Sequence, residues 1–197
     1  MSMSVFIDGS VGTTGLEIVE RLAARPEYQL LLLDEAQRKD AAARRDAYHA
    51  ADFAILCLPD DAAKEAAALA DGSNVRIVDA SSAHRVDPDW TYGFPELTGT
   101  DKVAEARLVS NPGCYPTGFL ALLAPLVRHG LLPGDWPYTC HAVSGYSGGG
   151  KALIARFADD PDIAYRDYAL AMGHKHVPEM QEYAGLKFAP LFAPAVI

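Results

Sequence analysis

Short apolar runs alternate with helix-like segments through the first part of this chain, and this alternation limits the possible folds more than any other feature of the sequence. The apolar runs, which predict strands, lie at residues 4–8, 28–34, 52–59 and 75–81. The helix-like segments between them lie at residues 14–25, 36–50 and 60–70. Asp60 is the predicted N-cap of the last segment. This order of elements is typical of a parallel sheet covered by helices, so we predict an α/β fold with a Rossmann-like parallel sheet.

The rest of the chain has a different character. Near residue 85, proline, glycine and aromatic residues become frequent, and residues 114–129 then show a helical pattern. Residues 138–151 predict a strand that runs into a glycine-rich loop. The printed sequence stops in an apolar segment, FAPLFAPAVI, which we interpret as a strand separated from its sheet. We therefore predict a nucleotide-binding domain over 1–113 and an α+β catalytic or substrate domain over 114–197, incomplete at its C-terminus.

Charge and hydropathy argue against several classes of function. The 197 residues include 17 basic and 26 acidic side chains, for a net charge of −9, so we expect neither a nucleic-acid nor a membrane-surface partner. No apolar run approaches the length of about 18 residues that a membrane-spanning helix needs. The N-terminal segment lacks the features of a signal peptide, and the three cysteines are an odd count. We therefore expect a cytoplasmic protein without a disulfide framework.

A glycine-rich turn, DGSVGTTG, joins the first predicted strand to the first predicted helix. Its three glycines would permit a tight turn, close approach of a pyrophosphate to the backbone, and close packing of helix on sheet. The spacing G-x-x-G-x-x-G differs from the commoner G-x-G-x-x-G, and a purely structural turn is the alternative. We predict that this turn binds a dinucleotide at the positive end of the helix. The predicted cofactor-binding residues in the turn are Gly9, Ser10, Gly12, Thr13, Thr14 and Gly15.

The end of the second predicted strand bears on which dinucleotide binds. Asp34 lies where NAD-binding proteins place an acid that holds the ribose 2′-hydroxyl. Arg38 and Lys39 follow within the same loop and could instead bind the 2′-phosphate of NADP. A solvated helix start with mixed charge is a third interpretation. These residues alone leave NAD and NADP open.

Cys114 is the candidate nucleophile, in the segment SNPGCYPTG. It lies at the start of a predicted helix, where the helix dipole favours the thiolate, and Gly113 leaves room for an incoming carbonyl. Cys57 and Cys140 lie in strand-like segments and are interpreted as small buried apolar residues. The alternative for Cys114 is an incidental small residue at a helix terminus.

Proton transfer at such a thiolate needs a partner, and the segment GHKHVPE supplies His174 and His176. Either could act as acid or base; both could be surface residues; or the pair could bind a metal together with Glu179. We favour the acid–base role, with either histidine, and predict no metal. His84 and His141 are weaker candidates for the same role.

Two polar loops could bind anions. The loop DASSAHR offers serine hydroxyls and a guanidinium, and the loop SGYSGGGK offers serine hydroxyls, glycine amides and an ammonium group. Either could instead be a polar loop that closes a domain. From these loops and the segment before Cys114, the predicted cofactor-binding residues are Ser81, Ser82, Ser144 and Gly145, and the predicted substrate-binding residues are Arg85, Asn111, Ser147 and Lys151.

The motifs together resemble the N-acetyl-γ-glutamyl-phosphate reductase family, in its shorter second type. The glycine turn, DASSAHR, YGFPEL, SNPGCYPTG, VSGYSGGGK and GHKHVPE occur in order and cover nearly the whole chain. The resemblance implies NADP(H)-dependent reduction of an acyl phosphate to a semialdehyde with release of phosphate, in arginine biosynthesis. It also implies that Cys114 forms a thioester, that a histidine of GHKHVPE handles the proton, and that the protein is a cytoplasmic homo-oligomer, a dimer or a tetramer. For the proton we favour His174 over His176.

Two other functions remain open from the sequence. The chain could be a related semialdehyde dehydrogenase of the aspartate type, which would reduce a different acyl phosphate. It could also be a non-catalytic nucleotide-binding fragment, because the resembled family continues beyond the last residue of this sequence. A thiol hydrolase without nucleotide is a weaker alternative, since the glycine turn would then have no ligand.

Overall fold

The computed structural model describes residues 2–160 and 162–197. Its contacts divide the chain into two compact units, of which the first ends at Pro112 and the second begins at Gly113. Among the described residues, none of the helices combines the length and the apolar character needed to span a membrane.

The first unit is built on a six-stranded, entirely parallel sheet with the strand order β2-β1-β3-β4-β6-β5. Its strands are β1 (Met3–Asp8), β2 (Tyr28–Leu31), β3 (Phe53–Leu56), β4 (Arg76–Asp79), β5 (Thr91–Tyr92) and β6 (Leu108–Ser110). Its helices are α1 (Thr13–Ala23), α2 (Ala41–Ala50), α3 (Asp60–Leu69), α4 (Pro95–Thr98) and α5 (Thr100–Glu105). The predicted α/β fold is confirmed.

The core of this unit forms where the central strands pack against α2 and α3. Fully buried side chains include Phe6, Tyr48, Leu56, Ala63 and Ile77. The alanine-rich sequence of α3 brings that helix close to the sheet, because Ala63 and Ala66 present only methyl groups.

Two helix starts differ from the sequence prediction. The segment predicted as helical from residue 36 begins with a 3₁₀ turn (Gln37–Lys39), and α2 starts only at Ala41. The cause is Asp40, whose carboxylate accepts the N–H groups of Ala42 and Ala43 and so caps α2. The prediction of Asp60 as an N-cap is wrong: Pro59 is the N-cap, Asp60 is the first helical residue, and its carboxylate accepts hydrogen bonds from Ser82.

Within its described residues, the second unit combines three α-helices with a three-stranded mixed sheet of order β7-β9-β8. The strands are β7 (Thr139–Ser144), β8 (Arg166–Asp167) and β9 (Leu191–Val196), and the helices are α6 (Cys114–Arg128), α7 (Gly150–Asp159) and α8 (Val177–Ala184). Tyr115, Met180 and Phe192 form the buried centre. The C-terminal apolar segment is a strand as predicted, but it is not separated from a sheet: β9 is the central strand, parallel to β7 and antiparallel to β8.

Candidate functional site

The glycine turn between β1 and α1 is fixed by backbone crowding at two of its three glycines. Gly9 has φ +86°, and a Cβ there would lie 2.3 Å from the carbonyl oxygen of Cys57. A Cβ at Gly15 would lie 2.2 Å from the Gly9 oxygen. At Gly12, by contrast, the nearest atom would be at 3.4 Å, an ordinary contact. The protein's own packing therefore requires glycine at positions 9 and 15, while position 12 leaves space against the backbone.

The surface of the turn suits an anion. Gly12 is the N-cap of α1 and donates its N–H to the Gly9 oxygen at 3.0 Å. The first turn of α1 carries no acidic residue, and Thr13 and Thr14 are exposed there, while Ser10 is buried. No carboxylate in the first turn of α1 would therefore repel an anion bound at the positive end of the helix dipole.

A buried ion pair lies directly before this turn, and the sequence analysis missed it. Asp8, the last residue of β1, accepts hydrogen bonds from Arg44 Nε at 3.0 Å and Nη2 at 2.9 Å, and from the Tyr48 hydroxyl at 2.5 Å. Burial and the Asp8 charge raise the pKa of Tyr48 far above its usual range. A carboxylate ending an otherwise apolar strand was the available signal, because a buried acid needs a partner.

The loop after β2 holds the residues predicted to select the cofactor. Asp34 Oδ1 accepts the Gln37 N–H at 2.8 Å, so this carboxylate is bonded to the first residue of the 3₁₀ turn. Arg38 is half-buried, and its Nε donates to the Asp34 carbonyl, whereas Lys39 is exposed. The two predicted cations are therefore adjacent on one turn, beside a carboxylate already engaged in the turn's own hydrogen bonds.

Beyond β4, the loop DASSAHR is ordered by two carboxylates. Asp79 Oδ1 accepts the Ser81 N–H, and Asp79 Oδ2 accepts the Ser81 hydroxyl and contacts His84 Nδ1, each at 2.7 to 2.8 Å. The Ser82 hydroxyl donates to Asp60 at 2.7 Å. Both predicted cofactor-binding serines thus donate their hydroxyl protons to carboxylates of the protein. A ligand could therefore only donate to these hydroxyl oxygens or accept from neighbouring backbone amides.

The same loop brings together two predicted substrate-binding residues. Arg85 is only 6% exposed, and its Nε donates to the Asn111 carbonyl at 3.0 Å. Asn111 follows β6, and its N–H donates to the Asp79 carbonyl at 2.7 Å. His84, a weaker candidate for proton transfer, is buried with its ring stacked on Trp90 at 4.1 Å between centroids.

Cys114 is the first residue of α6, and its thiol is exposed. Gly113, the N-cap, donates its N–H to Glu179 Oε2 at 3.0 Å, and its carbonyl accepts from the Thr117 N–H and hydroxyl. Glu179 is 1% exposed and lies in the first turn of α8, so this contact ties the two helix N-termini together.

The other two thiols are less available. Burial, with the charges of Asp8 and Asp79, raises the pKa of Cys57 to about 11. Burial also raises the pKa of Cys140. Since the thiolate is the nucleophile, Cys114 is the thiol that the structure leaves best suited to attack a substrate.

The two histidines of GHKHVPE lie next to each other, with ring centroids 4.5 Å apart. His174 Nδ1 accepts the backbone N–H of His176 at 3.1 Å. A nitrogen that accepts carries no proton, so neutral His174 has its proton on Nε2. The buried ring of Tyr115, the residue after Cys114, lies 6.3 Å from the His174 ring and 5.9 Å from the His176 ring.

For the metal interpretation, the described residues contain no group of three or more histidine, cysteine, aspartate or glutamate side chains arranged to hold an ion. His141, the other weaker proton-transfer candidate, lies on β7 with an exposed side chain. Its Nε2 contacts the Tyr165 hydroxyl at 2.9 Å.

The loop SGYSGGGK follows β7 and leads into α7. Gly145, Ser147 and Lys151 are exposed and Ser144 is half-buried. Residues Tyr146–Gly149 form a 3₁₀ turn that begins where the Tyr146 N–H donates to the Ile197 carbonyl. The predicted anion-binding groups therefore lie on a surface turn joined to the end of β9.

Some of the predicted residues share one location within each unit. In the first unit, the glycine turn, the 38–39 turn, DASSAHR and Asn111 all follow the carboxyl ends of parallel strands, where open α/β sheets bind ligands. In the second unit, Cys114 and the two histidines surround Tyr115. Sequence reasoning missed Tyr115 and Tyr168, and it considered Glu179 only as a metal ligand.

Two family models match the chain. One, described as semialdehyde dehydrogenase, NAD binding domain, matches residues 4–106, and the other, semialdehyde dehydrogenase, dimerisation domain, matches residues 114–197.

Three curated relatives named as N-acetyl-gamma-glutamyl-phosphate reductases match nearly the whole chain. N-acetyl-gamma-glutamyl-phosphate reductase of Burkholderia cenocepacia is 53% identical over 98% of this chain and 63% of its own length. N-acetyl-gamma-glutamyl-phosphate reductase 2 of Pseudomonas putida is 54% identical over 96% of this chain and 62% of its own. The Brucella suis reductase is 53% identical over 100% of this chain and 66% of its own. The chain thus spans less than two thirds of these relatives.

Solved structures with the same fold have much lower sequence identity. Aspartate semialdehyde dehydrogenase II of Vibrio cholerae, complexed with ASA, has a TM-score of 0.71 at 16% identity and covers 100% of this chain and 70% of its own. The Candida albicans enzyme, solved with NADP, has a TM-score of 0.64 at 12% identity, over 100% of this chain and 68% of its own. At these identities the likeness shows the fold.

Proposed function

This chain belongs to the semialdehyde dehydrogenase family, and on that premise we propose that it carries the nucleotide-binding and thiol-bearing parts of an N-acetyl-γ-glutamyl-phosphate reductase. The reaction would be NADPH-dependent reduction of N-acetyl-γ-glutamyl phosphate to the semialdehyde with release of phosphate, a step of arginine biosynthesis. The observation that carries the proposal is the exposed Cys114 thiol at the N-terminus of α6, in a unit that also holds the His174–His176 pair. The 53% identity to named reductases supports the substrate.

We assign the dinucleotide to the first unit, and the residues present there fit it. Gly12 leaves backbone space for a pyrophosphate, and the N-terminus of α1 has no acid in its first turn. Arg38 and Lys39 favour NADP over NAD, because the carboxylate of Asp34 already accepts the Gln37 N–H within the same loop. Bound there, the reduced nicotinamide would supply the hydride of the reaction.

The second unit would supply the covalent chemistry. The Cys114 thiolate would attack the carbonyl carbon of the acyl phosphate, and the bond from that carbon to the phosphate oxygen would break. The resulting thioester would accept the hydride at the same carbon. Cleavage of the carbon–sulfur bond would then release the aldehyde and return the thiolate.

We divide the proton work between the two histidines. Because neutral His174 carries its proton on Nε2, it would act as a hydrogen-bond donor to the developing oxyanion. This tautomer leaves the proton-accepting role to His176, a change from the preference that the sequence suggested. In the first unit, Arg85 and Asn111 are the proposed anion ligands. In the second unit, that role is proposed for Ser147 and Lys151.

The family model of the second unit supports self-association, so we propose a homo-oligomer, a dimer or a tetramer. All three cysteines are free thiols, which is consistent with a reducing cytoplasmic location. The solved aspartate semialdehyde dehydrogenases are 12 to 17% identical to this chain, so they support its fold and not the alternative activity, reduction of an aspartyl phosphate.

The test is an absorbance assay in the direction of cofactor reduction, with N-acetylglutamate semialdehyde, phosphate and either NADP or NAD. Turnover is expected with NADP, and Cys114→Ser should lower it by about 10⁴-fold or more, since it removes the covalent route. Cys140→Ser is the matched control and should retain activity. An active Cys114→Ser protein would refute the role of that thiol. Cofactor binding without turnover in the unmodified protein would support a non-catalytic nucleotide-binding fragment.

A further inference from the structure

The backbone just before His174 is held in an unusual conformation. Ala169 has φ +51° and Met172 has φ +61°, and both are non-glycine residues in the left-handed region. The Met172 N–H donates to the Ala169 carbonyl at 3.0 Å and closes a turn between them. Such residues persist where the surrounding structure holds them in place, and they are concentrated at functional sites. The turn therefore needs an anchor.

Tyr168, directly before this turn, is attached to the central strand by its backbone and its side chain. Its N–H donates to the Pro194 carbonyl at 3.1 Å. Its hydroxyl donates to the Tyr115 hydroxyl at 3.4 Å, and Tyr115 in turn donates to the Ala195 carbonyl at 2.6 Å. Tyr168 thereby fixes the start of the turn to β9 and to the residue next to Cys114.

The ring of Tyr168 also contacts the residue at the far end of the turn. Its centroid lies 5.5 Å from that of His174, with the ring planes at 64°. Phe192 contacts the same imidazole at 5.1 Å and 86°. Two aromatic rings thus limit the rotation of His174, whose Nδ1 is held by the His176 amide. Edge-to-face contacts of this kind contribute about 0.5–1.5 kcal/mol each between aromatic pairs.

We propose that Tyr168 is a positioning residue that holds His174 in the orientation and tautomer in which Nε2–H serves as a donor. The proposal rests on the proposed function only for the use that His174 makes of this proton. The ring carries this role, through its contact with the imidazole of His174. Burial, the Tyr115 hydroxyl and Cys114 together raise the pKa of Tyr168 above its usual range, so the ring beside His174 stays uncharged.

The test compares two variants of Tyr168 with one control. Tyr168→Leu removes the ring contact and the hydroxyl, whereas Tyr168→Phe keeps the ring. Tyr138→Leu is the control, because Tyr138 is also half-buried and donates its hydroxyl to a backbone carbonyl, that of Pro133. Nitrogen NMR of the imidazoles, with the His174 signals assigned by His174→Gln, reports the tautomer without turnover. Circular dichroism checks that each variant folds.

Wild-type protein, Tyr168→Phe and Tyr138→Leu should all show His174 with the proton on Nε2. Tyr168→Leu should show averaging between tautomers and, where the protein turns over, a kcat about 10²-fold lower, while the phenylalanine variant stays within about threefold of wild type. If the leucine variant does not fold, Tyr168→Met replaces it. An unchanged His174 tautomer in the folded leucine or methionine variant overturns the proposal. If only the proposed function is wrong, wild type and all variants will lack turnover, but the difference in His174 tautomer between Tyr168→Leu and the other proteins will remain.

Discussion

In the turn after β1, alanine at Gly15 should lower the stability of the protein, whereas alanine at Gly12 should mainly weaken nucleotide binding. At Gly15 the new Cβ would lie 2.2 Å from the Gly9 oxygen and 2.7 Å from the Ser10 Cα. Both are main-chain atoms, so the clash cannot be relieved by rotating a side chain. At Gly12 the nearest atom is at 3.4 Å, where no movement is needed.

The geometry sets the expected magnitudes. Gly15→Ala must move helix and turn apart by about 1.2 Å, the difference between 3.4 and 2.2 Å. Overpacking of this kind costs about 3 kcal/mol at the upper end of its range, and helix propensity returns about 1 kcal/mol. The expected net loss of unfolding free energy is therefore about 2 kcal/mol. Gly12→Ala should lose about 0.5 kcal/mol, because alanine is the poorer N-cap, but it places a methyl group where we expect the pyrophosphate.

Urea unfolding and nucleotide binding measure the two effects separately. Trp90 is buried in the first unit and Trp136 is 60% exposed in the second, so a Trp136→Phe background isolates the fluorescence of the first unit. Gly15→Ala should shift the unfolding midpoint, whereas Gly12→Ala should weaken NADP binding by about tenfold or more with little shift. Equal losses of stability in the two variants would refute the reasoning, and so would full NADP affinity in Gly12→Ala.

Three further predictions concern single sites. Ala169→Gly should stabilise the second unit by about 1 kcal/mol in thermal unfolding, because glycine adopts positive φ without strain. The control, Ala121→Gly on the exposed face of α6, should destabilise the unit by a similar amount. Stability changes of the same sign in the two variants would contradict this. Iodoacetamide should alkylate Cys114 first at pH 8, as detected by peptide mapping. The alkylation rate of Cys57 should approach that of Cys114 only as the pH nears 11, where the raised pKa of Cys57 allows a thiolate, and early labelling of Cys57 would contradict its burial. Asp8→Asn should lower the unfolding free energy of the first unit by about 3 kcal/mol in the same urea experiment, because it leaves the buried guanidinium of Arg44 without its counter-charge. An unchanged urea midpoint would show that the ion pair contributes little to stability.

The parts of the fold that depend on local pattern could be predicted from the sequence. The first four strands, the helices between them and the position of Cys114 at a helix start all follow from apolar periodicity and from glycine and proline punctuation over a few residues. The helix was predicted from residue 36 but starts at Ala41, because the sequence pattern did not single out Asp40 as the N-cap. The short strands β5 and β6 were missed because a strand of two or three residues has too little pattern to recognise.

The interactions that support the site could not be read from the sequence, since they join residues far apart in the chain. Gly113 and Glu179 are 66 positions apart, and Tyr168 and Tyr115 are 53 apart. Which tyrosine or glutamate reaches a given helix terminus depends on how α6, α8 and β9 pack, and the composition of each segment does not specify this. The tautomer of His174 belongs to the same class, because it depends on the orientation of one backbone amide.

The ion pair beneath the glycine turn has an electrostatic consequence for a chain of net charge −9. Asp8 immediately precedes Gly9, and a bare carboxylate there would repel any phosphate that approached the amides of the turn. The guanidinium of Arg44, bound through two nitrogens and only 11% exposed, cancels that repulsion from within the protein. The entrance to the turn can therefore attract anions through backbone dipoles alone, on a molecule whose overall field opposes them.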